Sequence, residues 1–253
     1  MVERLTGIQV HEDAGSEQAI AETPTAITAF VGRCLRGPVN RPVQLANFAD
    51  FQGVFGGLWQ PSTLSYAVEQ YFENGGRTAV VVRVANGARC CTLTLQAREG
   101  ALVLQALSPG TREFLRAAVD YDGIGDNEED RFNLVLQRVR TPGSEHIEDQ
   151  EIYRRLTVLP DAARDVTTTL ADSQLARVVG AVPLRRPDQT SHSDPRGIAG
   201  YVLSNPDGDD GGALTDYDLI GSAARGTGLF ALDAIETFNF LCIPPLARDA
   251  DVG

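Results

Sequence analysis

The stretch at residues 64–84, LSYAVEQYFENGGRTAVVVRV, decides the fold class. Ser62 offers a hydroxyl cap just ahead of it. Leu64, Ala67, Val68, Tyr71 and Phe72 then recur at helical spacing until Gly75-Gly76 closes the helix. A nearly unbroken β-branched run, residues 79–85 (AVVVRVA), follows at once. Such a run behind a helix reads as a strand buried on both faces of an α/β sheet.

Working outward, residues 25–31 (TAITAFV) read as the first core strand, and Gly37-Pro38 as a turn. Asn47 is placed to cap a short helix over residues 48–54, ended by Gly56-Gly57. Residues 1–22 are polar with one short alternating stretch, residues 5–10, which suits an arm or an edge strand awaiting a partner. The pattern changes beyond the second strand. Residues 92–97 and 101–107 alternate around Gly100, residues 120–131 form an acidic loop, and residues 132–140 place Phe132, Leu134, Leu136 and Arg138 on one face. Helices are expected at 147–156 and 161–170, a strand at 175–182 and a long surface loop at 183–212. A helix at 229–235 precedes the apolar run 237–243 (TFNFLCI), which reads as a central parallel strand stopped by Pro244-Pro245.

The expected fold class is therefore α/β, an incomplete core sheet with covering helices and an inserted, strand-rich α+β domain. The expected division is an arm at 1–22, the first part of the core at 23–86, the insertion at 87–210 and a return to the core at 211–253. A buried parallel strand needs sheet neighbours and cover on each face. Only nine residues follow Pro244, so the expectation is a chain that stops within a domain.

The 253-residue chain carries a formal net charge of −12, which argues against unaided binding to nucleic acid or an anionic membrane. All 22 basic residues are arginine, which excludes lysine-dependent chemistry. No apolar run approaches the roughly 20 residues of a membrane span, and the N-terminus lacks the pattern of a secretory signal. Cys34, Cys90, Cys91 and Cys242 have no paired spacing and read as small reduced hydrophobes. His11, His146 and His192 lie in polar stretches without metal-ligand spacing, and no GxSxG elbow exists. The GTG at Gly226–Gly228 reads as a tight turn. The acidic groups Asp120, Asp122, Asp126 and Asp207, Asp209, Asp210 fail the calcium-loop order and read as solvated charge. No cofactor or metal is expected.

Two long stretches are specific. The first runs AFVGRCLRGPVN (29–40), FADFQGVFGGLW (48–59) and then the helix–strand stretch at 64–84. The second is GGALTDYDLIGSAARGTGLFALDAIETFNFLCIP (211–244). In order and spacing they resemble the contractile tail sheath proteins of bacteriophages and related injection machines. The matching positions are Phe30, Gly32, Arg36, Gly37, Pro38, Phe55, Gly56, Gly57, Gly75, Gly76, Leu214, Thr215, Gly226, Gly228, Leu232, Asp233, Phe238, Cys242 and Pro244. The resemblance implies a structural subunit without a catalytic site or cofactor. It implies homo-oligomeric stacked rings around an inner tube protein, and contraction that drives the tube through an envelope. It places the chain in the bacterial cytoplasm during assembly and then in the virion tail or contractile particle, with no nucleic-acid partner and no membrane insertion. Gly7, Ile8, Gln9, Val10, His11 and Glu12 occupy the place of the family's assembly arm, which adds a strand to a neighbour's sheet. The family continues beyond the CIP strand, which makes this chain resemble an N-terminal portion or a truncated member. Two other readings stay open: a small-molecule or sugar-binding α/β protein with its ligand near the GTG turn, and a metal-using enzyme built on Asp120 or Asp209.

Overall fold

The computed structural model describes residues 26–190 and 200–246. The chain begins with β1 (Ile27–Gly32), β2 (Val43–Leu45), α1 (Phe48–Phe55), α2 (Thr63–Glu73) and β3 (Thr78–Arg83). Local chemistry explains the two helices. The Asn47 side chain accepts from the Asp50 amide at 2.9 Å, and Ser62 Oγ from the Ser65 amide at 3.1 Å. Gly56 ends α1 in the left-handed region. Next come β4 (Cys90–Ala97), β5 (Gly100–Pro109), β6 (Phe114–Asp120), β7 (Arg131–Val139), β8 (Ile147–Thr157), α3 (Val166–Leu170), β9 (Ala176–Val179) and β10 (Val202–Leu203). The chain returns through α4 (Asp216–Ile220), a 3₁₀ segment (Gly228–Ala234) and β11 (Phe240–Cys242).

Three sheets result. One is mixed, in the order β11-β1-β3-β2. There β1 pairs parallel with both β3 and β11, while β2 runs antiparallel to β3. The other two are antiparallel, β10-β6-β7-β8 and β4-β5-β9. They share one hydrophobic core that includes Leu93, Leu104, Leu115, Phe132, Leu134 and Leu156. The fold class is thus mixed α/β with strand-rich antiparallel sheets.

The mixed sheet is covered on both faces. Phe30, Phe51, Phe55, Leu64, Val68 and Val81 pack on the α1–α2 side. Val31, Val80 and Val82 meet Leu219, Ala231 and Leu232 on the other. α4 and the 3₁₀ segment cover the second face of β1 and β3. The opening lies at the edge, because β11 has no second neighbour among the described residues.

Several local expectations are corrected. Residues 147–156 form strand β8, not a helix; pairing with β7 satisfies the backbone, and tertiary context overrides local propensity. Only Val166–Leu170 of the second expected helix is helical. Asp161 and Arg164 sit at φ 58° and 85°, which no α-helix accommodates, and Asp165 caps what remains. The helix at 229–235 is a 3₁₀ segment. The run 237–243 supplies a three-residue strand that runs parallel to β1 and has one neighbour among the described residues. Strands β2 and β6 were not anticipated. The expected arm, Gly7–Glu12, lies outside the described residues, as do His11 and His192.

Gly76 sits where the chain turns from α2 into β3. A Cβ there would meet the Tyr71 ring at 2.3 Å. That ring is fixed by its hydroxyl, 2.7 Å from the Thr78 carbonyl and 2.8 Å from that of Ala26, and by an edge contact with Phe30. Gly76→Ala is expected to cost about 1–3 kcal/mol in urea unfolding, as for other overpacked sites. Gly53→Ala, a helical position where nothing lies within 4 Å, serves as the neutral or stabilising control.

Candidate functional site

The two motif stretches, residues 29–84 and 211–244, meet in space. β11 lies against β1 in parallel register, Thr28 opposite Phe240 and Phe30 opposite Cys242. At the base, the Ile27 amide donates to Asn239 Oδ1 at 2.9 Å and the Asn239 amide to the Ile27 carbonyl at 2.8 Å. At the other end, the Gly228 amide donates to Asn40 Oδ1 at 2.8 Å, joining the RGPVN turn to the GTG turn. The Thr63 hydroxyl reaches the Pro245 carbonyl at 2.5 Å.

Around this junction the motif residues are mostly structural. Phe30, Gly32 and Phe55 are buried, Gly32 beneath Leu64. Gly37 lies against Phe55, beside half-buried Pro38. Gly57 and Gly75 make the turns after α1 and α2. Thr215 caps α4 through a reciprocal box with Asp218. Leu214 and Leu232 pack on the sheet, and Cys242 on its opposite face. Gly228 is obligatory: φ is 62°, and a Cβ would meet the Leu219 carbonyl at 2.4 Å. Asp233 and Phe238 are exposed, and Pro244 is half-buried.

The β11 side presents a different surface. Phe240 is 60% exposed and Leu241 47%; Phe238, Ile243 and Leu246, next to them in sequence, are exposed as well. Phe240 and Leu241 thus expose large apolar side chains on a strand whose outer side has no partner among the described residues.

A second feature ties the mixed sheet to the antiparallel sheets. Arg83, 2% exposed, donates to the Gly37 carbonyl at 2.7 Å and the Pro109 carbonyl at 2.9 Å. Arg36 pairs with Glu148 of β8 and donates to the Gly53 carbonyl at 3.0 Å. Arg138 Nη1 stands 3.8 Å from Glu113 Oε1, and its Nη2 is 3.4 Å from Asp149. Burial pushes the Glu113 carboxyl above the usual range, against the pull of Arg138, Arg36 and Arg83. Burial also acts on Glu148, but the Arg36 hydrogen bond and charge, with Arg138 and Arg140, outweigh it and hold that carboxyl low. The acidic stretch at 207–210 also serves this junction. Asp207 accepts from the Thr92 amide and hydroxyl at 2.8 and 2.6 Å, and Asp210 from those of Thr111 at 2.9 and 2.7 Å. Asp209 accepts from the Gly211 amide and pairs with Arg89. Sequence reading took these aspartates as solvated charge and passed over Arg83, although an arginine inside an apolar strand was the available signal.

The chemistry of the remaining candidates is sparse. A cavity of about 220 Å³ beside the GTG turn is lined by Asn40, Tyr217, Asp218, Arg225 and Thr227. The turn's amides are already committed: Gly226 to Ala223, Thr227 to Ser222 and Gly228 to Asn40. None is left to cradle an anion. Asp120 accepts from the Asp122 amide and from Asn133. Among the described residues no cluster of three His, Cys, Asp or Glu is placed to hold a metal. His146 is exposed. Burial raises the thiols of Cys34 and Cys91 to about 12, which removes both as nucleophiles. No described helix is long and apolar enough to cross a membrane.

No protein-family model matches the sequence, and no curated protein matches it. Solved structures do. The sheath tail protein of Listeria innocua matches with a TM-score of 0.52 at 13% identity, over 90% of this chain and 42% of its own. That of Desulfitobacterium hafniense matches with a TM-score of 0.50 at 13% identity, over 94% of this chain and 45% of its own. The resemblance read from the two motif stretches is therefore borne out as a resemblance of fold. The chain spans less than half the length of the sheath proteins it matches.

Two outcomes test the polar junction. Arg83→Met strands the Gly37 and Pro109 carbonyls and is expected to cost about 3 kcal/mol in urea unfolding, since each buried orphan costs about 1–3 kcal/mol. Because Glu113 holds its proton more tightly folded than unfolded, its contribution is most favourable below the ordinary value of 4.5 and declines as pH rises above it. Glu113→Gln is therefore expected to be more stable than the parent at pH 7, with the difference vanishing toward pH 4. Denaturant midpoints across that range check the sign.

Proposed function

We propose that this chain is a structural subunit of a contractile tail sheath, in a phage tail or related injection machine, and that it catalyses no reaction. The observation that supports this best is a fold that matches sheath tail proteins, in which β11 has no outer partner among the described residues. A sheet left open on a parallel strand gains backbone hydrogen bonds and burial from an added strand, which is the chemistry of a polymer contact rather than a substrate pocket. In this reading residues 23–86 and 211–253 form the assembling core, residues 87–210 an outward insertion, and Gly7–Glu12 an arm for a neighbouring subunit. The partners are other sheath subunits and an inner tube protein. Its locations are the bacterial cytoplasm during assembly and then the tail of the particle. Contraction around the tube follows from the same reading.

Co-production of the chain with an inner tube protein of a contractile tail, followed by negative-stain electron microscopy, tests the proposal. The expected result is tube-associated rings or rods that contain the chain, lost when Leu241→Asp is introduced at the open edge. A chain that stays monomeric beside assembled tubes would contradict it.

A further inference from the structure

We propose that the two antiparallel sheets form a separately folded body hinged on the mixed sheet by a short two-stranded ribbon, and that the Arg36–Glu148 ion pair is the latch that holds this body docked. Both features are contacts within the described chain and are independent of the sheath reading.

The hinge is defined by what crosses between the two parts. The chain leaves the mixed sheet after β3 and returns before α4, and the two crossings run side by side. Asn86 pairs with Gly212 and Arg89 with Asp209 in antiparallel bridges. Arg89 and Asp209 exchange two backbone hydrogen bonds of 2.9 Å, and the Gly212 amide donates to the Asn86 carbonyl at 2.8 Å. Within this ribbon Gly87 and Gly211 sit at φ 70° and 77°, where other residues are strained. A Cβ on Gly211 would meet the Asn86 carbonyl at 2.3 Å. Apolar packing does not bridge the parts. Among the described residues each hydrophobic cluster lies wholly on one side of the junction. No described helix or strand of one part packs broadly on one of the other. Two bodies joined without a large hydrophobic interface move relative to one another by default.

The latch is defined by position and charge. Among the described residues Arg36–Glu148 is the one salt bridge between the two parts. Its side chains are 10% and 16% exposed, so solvent screens it little. Arg36 is anchored on its own side by the Gly53 carbonyl at 3.0 Å. Glu148 lies on β8, the edge strand three places from β10, which leads into the ribbon. Three strand spacings are about 14 Å, so the pair acts across a lever arm. The Arg83 bond to Pro109 lies at the hinge instead, because Pro109 pairs with Cys90, the residue directly after the ribbon. Docking also leaves Arg36 Nε, Arg83 Nε, Arg138 Nε and Glu113 Oε2 buried without a partner in the protein. Opening returns these atoms to water, so little besides the ion pair favours the shut position.

Residual dipolar couplings of the backbone amides, measured by NMR on the full chain in a weakly aligning medium, test this with Glu148→Gln and Arg36→Met as variants. Such couplings average over the microsecond-to-millisecond motions of hinged bodies. In the parent, couplings from the mixed sheet and from the antiparallel sheets are expected to fit one alignment tensor. In each variant both parts are expected to keep their own structure, while their tensors separate and one falls about twofold or more below the other in magnitude. A variant whose two parts still share one tensor would overturn the latch. Separate tensors in the parent would overturn it too, because the pair would then hold nothing. Couplings in either variant that no longer fit the structure of the antiparallel sheets would assign the pair to the fold itself and overturn the hinge. None of these results touches the sheath reading, which stands or falls on the rods formed with the tube protein.

Discussion

A strand buried along its whole length must be bonded on both sides and packed on both faces, and β1 meets this condition with partners from opposite ends of the sequence. β3 follows it after two helices, whereas β11 arrives only after the two antiparallel sheets have been built. The parallel β11–β1 ladder therefore closes the longest loop in the described chain. Parallel pairing over such a separation carries a high entropic cost and needs reinforcement. Reinforcement is present at both ends of the ladder, in the Asn239–Ile27 pair of hydrogen bonds and the Asn40–Gly228 bond. The same ladder leaves the far side of β11 without a partner among the described residues.

The second long-range tie is polar. Arg36, Arg83, Glu113, Arg138 and Glu148 stand where the mixed sheet meets the antiparallel sheets, and most of their charge is removed from water. Buried ion pairs of this kind add little net stability compared with apolar packing, but removing one partner leaves a buried charge uncompensated and costs about 3–5 kcal/mol. The Asp207 and Asp210 contacts to Thr92 and Thr111 fix the returning chain in the same region. The junction is thus specified by directional bonds, while each side keeps its own hydrophobic core.

The sequence made the α1–α2–β3 unit legible because its signals are local. Asn47 and Ser62 cap, Gly56 and Gly75 stop, and the valine run of β3 permits one reading. The hairpin of β4 and β5 around Gly100 was equally local. β8 was misread because IEDQEIYRRLT is polar on both faces, as an edge strand can be, and alternation fades when neither face is fully buried. α3 was over-extended because nothing local announces left-handed backbone at Asp161 and Arg164. The apolar run at 237–243 announced burial, but not that one side would remain open. The aspartates at 207–210 looked solvated because their partners, Thr92 and Thr111, lie about a hundred residues away. Of the site, the motif positions were visible in the sequence; the open edge and the arginine–glutamate junction needed the fold.

The central claim is that the free side of β11 receives a strand in the assembled state. A cryo-electron microscopy map of the assembly that contains this chain measures it most directly. The account predicts an extended backbone about 4.8 Å from Phe240–Cys242 on the side away from β1, the spacing of a hydrogen-bonded strand. A map in which that side of β11 faces solvent would contradict it.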